Sequence, residues 1–191
     1  MTEHTLDEKT GLLYQAWDES KAAEWADREN GRSGEFWARS IGWYCVALVD
    51  ILDHFPKERS EYEQMKQMLV NVVTAVLSYQ DKSGLWYQVM NKGNRVDNWL
   101  ESSSTCLFLY TISKGIRLGL LSEDYKKQAQ LAYQGINSML KEKNNCIFLE
   151  NISIGLNVGD YKHYVQAQKK NWDLHGFGAL VLSFTEYSKV L

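Results

Sequence analysis

The stretch EFWARSIGWYCVALVDILDHFP, residues 35–56, decides the fold. At the helical angle of about 100° per residue, Trp37, Ile41, Cys45, Leu48, Leu52 and Phe55 fall on one broad stripe, the spacing of a core-facing helix. The helix is expected over Phe36–Phe55. Pro56, the only proline of the chain, stops it, because proline disfavours a helical residue before it and has no amide to donate. Arg39 and Trp43, four residues apart, stack on nearly the opposite side, with Val46 and Asp50 further along. A helix facing only water there would carry solvated charge. An arginine beside an indole instead predicts packing on one side and a cavity on the other.

Outward from this helix the pattern alternates. A second helix, expected over 57–80, has a single stripe of Tyr62, Met65, Leu69, Val72, Val73 and Val76 among polar residues. A third, over 100–120, is apolar on nearly all sides, which marks a buried helix. The fourth, over 122–142, returns to one stripe, and the last, over 174–190, is again apolar all round. Residues 1–35 read as largely irregular, with ESKAAEWA able to form two helical turns and DRENGRSG as loop. The stretch NNCIFLENISIGLNVGDYKHY also reads as irregular.

A repeat accounts for the alternation. GLLYQ at 11–15 recurs as GLWYQ at 84–88, and a tryptophan leads each buried helix: Trp37, Trp99 and Trp172. Each unit is an extended run, a buried helix and an outer helix, and repeats of this kind stack so that the buried helices line a common axis. The fold class that follows is all-α, an α/α toroid, present as roughly half a ring, since a closed six-hairpin ring needs about twice this length.

Composition narrows the function. The chain has 191 residues, 45% hydrophobic and 24% charged, long enough for one domain with a real core. A net charge of −3 gives no basic face for nucleic acid. No apolar run approaches the roughly 20 residues of a membrane span, and MTEHTLDEKTG has no signal-peptide core, so a cytoplasmic location is expected. Cys45, Cys106 and Cys146 are widely spaced and read as reduced core residues, and nothing has the spacing of a zinc site. Seven tryptophans and eleven tyrosines suit sugar rings as well as cores.

Four ordered motifs then carry a resemblance. FWARSIGWYCVALVDIL, SGLWYQV, NWLESSSTCLFLY and DLHGFGALVL, in that order, resemble the unsaturated rhamnogalacturonyl hydrolases of glycoside hydrolase family 105, and the unsaturated glucuronyl hydrolases of family 88 are similar. The resemblance covers the chain from about Gly11 and implies an (α/α)6 barrel of which residues 1–191 are the C-terminal half. It implies cleavage of the terminal unsaturated uronic acid that polysaccharide lyases leave: an aspartic acid protonates the 4,5 double bond, water adds, and the hemiketal collapses. No metal or organic cofactor is implied. The partner implied is an unsaturated oligosaccharide of pectin or glycosaminoglycan origin.

The same resemblance implies the substrate-binding residues. Arg39 and Trp43 stand in the family's WxRxxGW motif. A planar guanidinium can hold a uronate carboxylate by two parallel hydrogen bonds, and an indole can carry a sugar ring, whereas Trp37 leans toward packing. Gln15 stands where the family often has a histidine, and an amide can bind hydroxyls but cannot titrate. Glu101 and Ser103 are expected as a polar rim at the start of the third helix, where one of the serines caps it. His175 opens the last helix in an HGxGA-like motif.

The family's catalytic aspartate has no counterpart. Asp27 belongs to a different loop, and Asp50 with Asp53 read as solvated positions. The catalytic set is therefore empty, and the isolated chain is expected to be inactive, a fragment or truncated product of such a hydrolase. The rival reading is a non-catalytic half-toroid that binds carbohydrate or pairs with another chain. An open half ring also leaves the flanks of its end helices uncovered, which predicts self-association or pairing with a missing N-terminal half.

Overall fold

The computed structural model describes residues 2–190. In chain order the helices are α1 (Thr2–Thr5), α2 (Ala38–His54), α3 (Ser60–Leu77), α4 (Ser102–Arg117), α5 (Lys126–Met139), α6 (Tyr161–Val165) and α7 (Leu174–Tyr187). Six short strands pair antiparallel in twos: β1 (Trp86–Tyr87) with β2 (Leu100–Glu101), β3 (Leu140–Lys143) with β4 (Cys146–Leu149), and β5 (Ile152–Ser153) with β6 (Lys169–Lys170). The five long helices lie where periodicity placed them.

α4 lies between α2 and α7, α3 packs on α2, and α5 packs on α4 and the edge of α7. α2 and α4 run parallel, as their ties at both ends require. Arg39 near the start of α2 reaches Glu101 at the start of α4, 3.6 Å away. At the far end Lys114 of α4 bonds Asp50 at 2.8 Å and Asp53 at 3.0 Å, both from α2. Arg117 of α4 bonds Glu186 of α7 at 2.8 Å. Three inner helices with two outer ones is the layout of an α/α toroid, half a ring of it.

Close approach of the inner helices depends on a glycine. A Cβ at Gly42 would fall 2.9 Å from Cδ1 of Leu107, so α2 leaves that space to α4. The repeated pentapeptide also behaves alike in both copies. Gly11 and Gly84 hold φ of +72° and +88°, a left-handed turn that glycine adopts without strain.

Several expectations are corrected. ESKAAEWA is not helical; the Asp18 carboxylate instead accepts the Ala22 and Ala23 amides at 2.8 Å and winds the segment into turns. The fourth helix stops at Met139, because Leu140–Lys143 turns through Asn144 and Asn145, both at positive φ, into a hairpin. The stretch read as irregular after 143 holds β4, β5 and α6. Cys45 and Cys106 are buried thiols, whereas Cys146 is exposed on the hairpin. Asp50 and Asp53 are not merely solvated, since both serve Lys114. Among the described residues, no helix is long and apolar enough to cross a membrane.

Candidate functional site

The N-terminal ends of α2 and α4 meet in a buried polar cluster. β2 delivers Glu101 as the N-cap of α4, so the cap is the acid itself and not one of the serines. Its carboxylate accepts the amides of Ser103, at 3.0 Å, and Ser104, and the Ser103 hydroxyl. It also accepts the Ser153 amide from β5, at 2.9 Å. A carboxylate at a helix N-terminus satisfies amides that the helix leaves unpaired and complements its dipole. Glu101 and Ser103, expected as an open rim, are completely buried. The rim is closed because β5 lies across it.

Arg39 completes the cluster. Only 3% exposed, it faces Glu101 and donates from Nη2 to the Ser153 carbonyl. Its Nε has no hydrogen-bond partner. A buried donor left unsatisfied costs about 1–3 kcal/mol, so enclosing Arg39 carries a penalty that its contacts with Glu101 and Ser153 must offset. One turn on, Trp43 is 45% exposed. The helix thus has the two faces expected of it, but the arginine is enclosed and the indole open.

Gln15 joins the same network by a longer route. Gln88, its counterpart in the repeat, accepts from the Trp37 indole at 3.2 Å and donates to Ser153 Oγ at 2.9 Å and to the Tyr164 carbonyl at 3.3 Å. The Tyr164 hydroxyl donates to Gln15 Oε1, and Gln15 Nε2 donates to the Leu156 carbonyl at 3.4 Å. Burial pushes the Tyr164 phenol above its ordinary pKa. The two repeat glutamines therefore grip one tyrosine, at its hydroxyl and at its backbone. Trp37 packs on that ring, centroids 5.8 Å apart. Of the five residues expected at the site, Arg39, Glu101, Ser103 and Gln15 share one hydrogen-bonded cluster, and Trp43 stands apart on the open face.

Ser153, Gln88 and Tyr164 were not anticipated. The repeat offered a signal for Gln88, because it aligns with Gln15. Ser153 and Tyr164 lie in a segment without periodicity or motif. Asp27 shapes its loop by accepting the Glu29 and Asn30 amides at 2.9 Å. His175 is exposed, its ring and amide both bonded to Asp173, the cap of α7.

Two hollows flank Tyr14. One, of ≈ 220 Å³, is lined by Tyr14, Gln15, Ser40 and Tyr44 among others. The second, of ≈ 570 Å³ and more polar, includes Trp25, Asp27, Asn30 and Arg32. Together they give a concave surface lined by amide, hydroxyl and aromatic groups, its charged residues being Arg32, Asp7 and Asp27, which suits a polar ligand.

A family model described as Glycosyl Hydrolase Family 88 matches residues 1–191. A solved glycoside hydrolase from family 105 of C. acetobutylicum ATCC 824 superposes with a TM-score of 0.94 at 36% identity, covering 98% of this chain and 55% of that one. The 24.9 kDa protein in the picA locus of Rhizobium radiobacter is 31% identical over 134 residues, 70% of this chain and 57% of that relative. The unsaturated rhamnogalacturonyl hydrolase YesR of Bacillus subtilis is 28% identical over 138 residues, 71% of this chain and 35% of that relative. The chain thus spans little more than half of the first relative and about a third of the second.

Proposed function

The chain belongs to glycosyl hydrolase family 88, and from that premise we propose that it forms the substrate-holding, C-terminal half of a hydrolase for oligosaccharides ending in an unsaturated uronic acid. The oligosaccharide lies on the concave side, its terminal carboxylate directed to Arg39 and a sugar ring on Trp43. Gln15 serves hydroxyl groups from the hollow beside Tyr14. Glu101 and Ser103 act from behind, holding the guanidinium in place. The solved family 105 structure and the name of YesR support the substrate class.

The observation that carries this reading is one helix, α2, that holds the Arg39 guanidinium against Glu101 and Ser153 and presents the open indole of Trp43 one turn on. A uronate carboxylate at the guanidinium would make a charge-assisted bond. The hydration step attributed to such enzymes needs an aspartic acid to protonate the 4,5 double bond, and no residue of this chain stands in its place. The 191-residue chain alone therefore binds and does not turn over.

Titration calorimetry with a 4,5-unsaturated uronyl disaccharide tests this. Arg39→Lys keeps the charge but loses the planar fork. Binding is expected to weaken at least about tenfold, about 1.4 kcal/mol. The ultraviolet absorbance of the double bond should persist when wild-type chain and disaccharide are incubated together. Equal binding by the lysine variant would remove Arg39 from the site, and loss of the absorbance would place a proton donor within this chain.

A further inference from the structure

The two repeat glutamines differ in what their amides have left to give. Gln88 is completely buried and fully spent: its Oε1 accepts from the Trp37 indole, and its two Nε2 hydrogens go to Ser153 Oγ and the Tyr164 carbonyl. Gln15 is half-buried and lines the smaller hollow beside Tyr14. Its Oε1 accepts from the Tyr164 hydroxyl, and one Nε2 hydrogen reaches the Leu156 carbonyl at 3.4 Å. A side-chain amide carries two such hydrogens, so one is left without a partner among the described residues. We propose that Tyr164 is a positioning residue for ligand recognition. Its hydroxyl fixes the Gln15 amide so that Gln15 shows the hollow a hydrogen-bond donor and never an acceptor. At this point the site selects a sugar oxygen that accepts, whether a hydroxyl, ring or glycosidic oxygen. The inference deepens the role given above to Gln15 and rests on it.

Two neighbours decide which way round the amide lies. The oxygen and nitrogen ends of a glutamine exchange by a half-turn of the last side-chain bond, so only hydrogen-bond partners can tell them apart. The Leu156 carbonyl can only accept, so it faces nitrogen. The Tyr164 hydroxyl can act either way, but it already accepts the Gly159 amide at 3.2 Å. The described residues offer its own hydrogen no acceptor other than Gln15 Oε1. Both constraints select the same orientation.

The hydroxyl is itself held. Tyr164 is completely buried, its ring on Trp37 and edge-on to His163, centroids 5.4 Å apart. The loop that brings the Gly159 amide is tied down as well. Asp160 caps α6 by accepting the His163 amide at 2.9 Å, and His163 Nε2 donates to the Asn157 carbonyl at 3.0 Å. A Cβ at Gly159 would fall 2.5 Å from Cγ of His163, so a side chain there would push the loop away. Gln88 holds Tyr164 only by its backbone carbonyl. Tyr164→Phe therefore removes the hydroxyl and leaves the ring packing and the Gln88 contact in place.

Nuclear magnetic resonance of the isotope-labelled chain reads the amide directly, the Gln15 pair being assigned by its loss in Gln15→Met. Tyr164→Phe should move both signals toward those of exposed glutamines, while the melting temperature falls by only roughly 2–4 °C, the loss of one hydrogen bond. Gly159→Ala, which displaces the loop amide from the hydroxyl, should move the same signals without touching the phenol, and it serves if the phenylalanine variant does not fold. In calorimetry with a 4,5-unsaturated uronyl disaccharide, Tyr164→Phe and Gln15→Met should each weaken binding about fivefold. The double variant should bind no more weakly than Gln15→Met alone, because Tyr164 acts through Gln15. A purely structural tyrosine would instead weaken binding further in the Gln15→Met background, and that result would overturn the proposal. So would Gln15 signals that stay unmoved in both Tyr164→Phe and Gly159→Ala. A wild-type chain that does not bind the disaccharide, but whose Gln15 signals respond to Tyr164→Phe, would overturn the substrate assigned to the site and uphold the positioning by Tyr164.

Discussion

Along α4 every residue from Ser102 to Ile116 is buried, whereas α7, whose sequence is just as apolar, leaves Leu174, Val181 and Leu182 in solvent. The tryptophans that lead the inner helices divide the same way, Trp37 and Trp99 buried and Trp172 open. The two helices carry the same kind of pattern and differ only in how many neighbours they have. An all-round apolar helix is written for a ring position with a neighbour on each side, and α4 occupies such a position while α7 ends the row. The contrast separates what a residue type asks for from what the fold supplies.

The largest effect should come where α4 is most enclosed. Arg39→Ala would leave Glu101 buried with no cation, and breaking a buried pair in this way costs about 3–5 kcal/mol. Urea unfolding should show that loss, with Arg39→Lys retaining most of the stability. A loss under about 1 kcal/mol would mean that the amides and hydroxyl around Glu101 suffice for it.

Next comes packing, measured by urea unfolding. Leu107→Ala in α4 should cost about 2–5 kcal/mol, while Val181→Ala in α7 should stay within about 0.5 kcal/mol, as surface changes do. Similar losses at the two positions would erase the distinction between centre and flank.

Glycines give a smaller contrast of opposite sign. Gly42→Ala forces a Cβ onto Leu107 and should cost about 1–3 kcal/mol. Gly178→Ala, with open space beside it, should gain up to about 1 kcal/mol from helix propensity. If Gly42→Ala proves neutral, α2 and α4 have room to separate.

The smallest effect is that of pH on the two charged ties. The hydrogen bond from Lys114 holds the Asp53 carboxyl below its ordinary value. Burial works against the Glu186 carboxylate, but its bonds from Arg117 and Lys189 outweigh that and also hold it low. A folded pKa below the unfolded one stabilises fully above the ordinary carboxylate value near about 4, and the gain is lost as pH falls through the folded value. The melting temperature should therefore drop on acidification below about pH 4, and Glu186→Gln should flatten part of that slope. An unchanged slope in this variant would assign the acid sensitivity to the α2–α4 tie.

Much of this arrangement could be read in advance, for identifiable reasons. The helix expected over Phe36–Phe55 spans Ala38–His54, because one stripe and one proline define it. The 122–142 expectation overran at Met139: Leu140 continues the apolar stripe, but the Asn144–Asn145 turn pairs Leu140–Lys143 with Cys146–Leu149. Motif resemblance singles out Arg39, Glu101, Ser103 and Gln15 as expected substrate-binding residues, and for Gln88 the only signal is its alignment with Gln15 in the repeat. Ser153 and Tyr164 carry no such signal, since their roles depend on contacts with residues 114 and 149 positions away in sequence.

The sequence by itself determined the α/α layering, the alternation of inner and outer helices and the half-ring count. These follow from residue periodicity and from a repeat, which are local properties. Only the tertiary structure decided that Glu101 caps α4 from a buried position, that Arg39 is enclosed with one nitrogen unpaired, and that the apolar residues of α2 and α7 remain open. Burial is a property of neighbours. An apolar residue asks to be covered, but whether something covers it depends on which helix stands beside it in space.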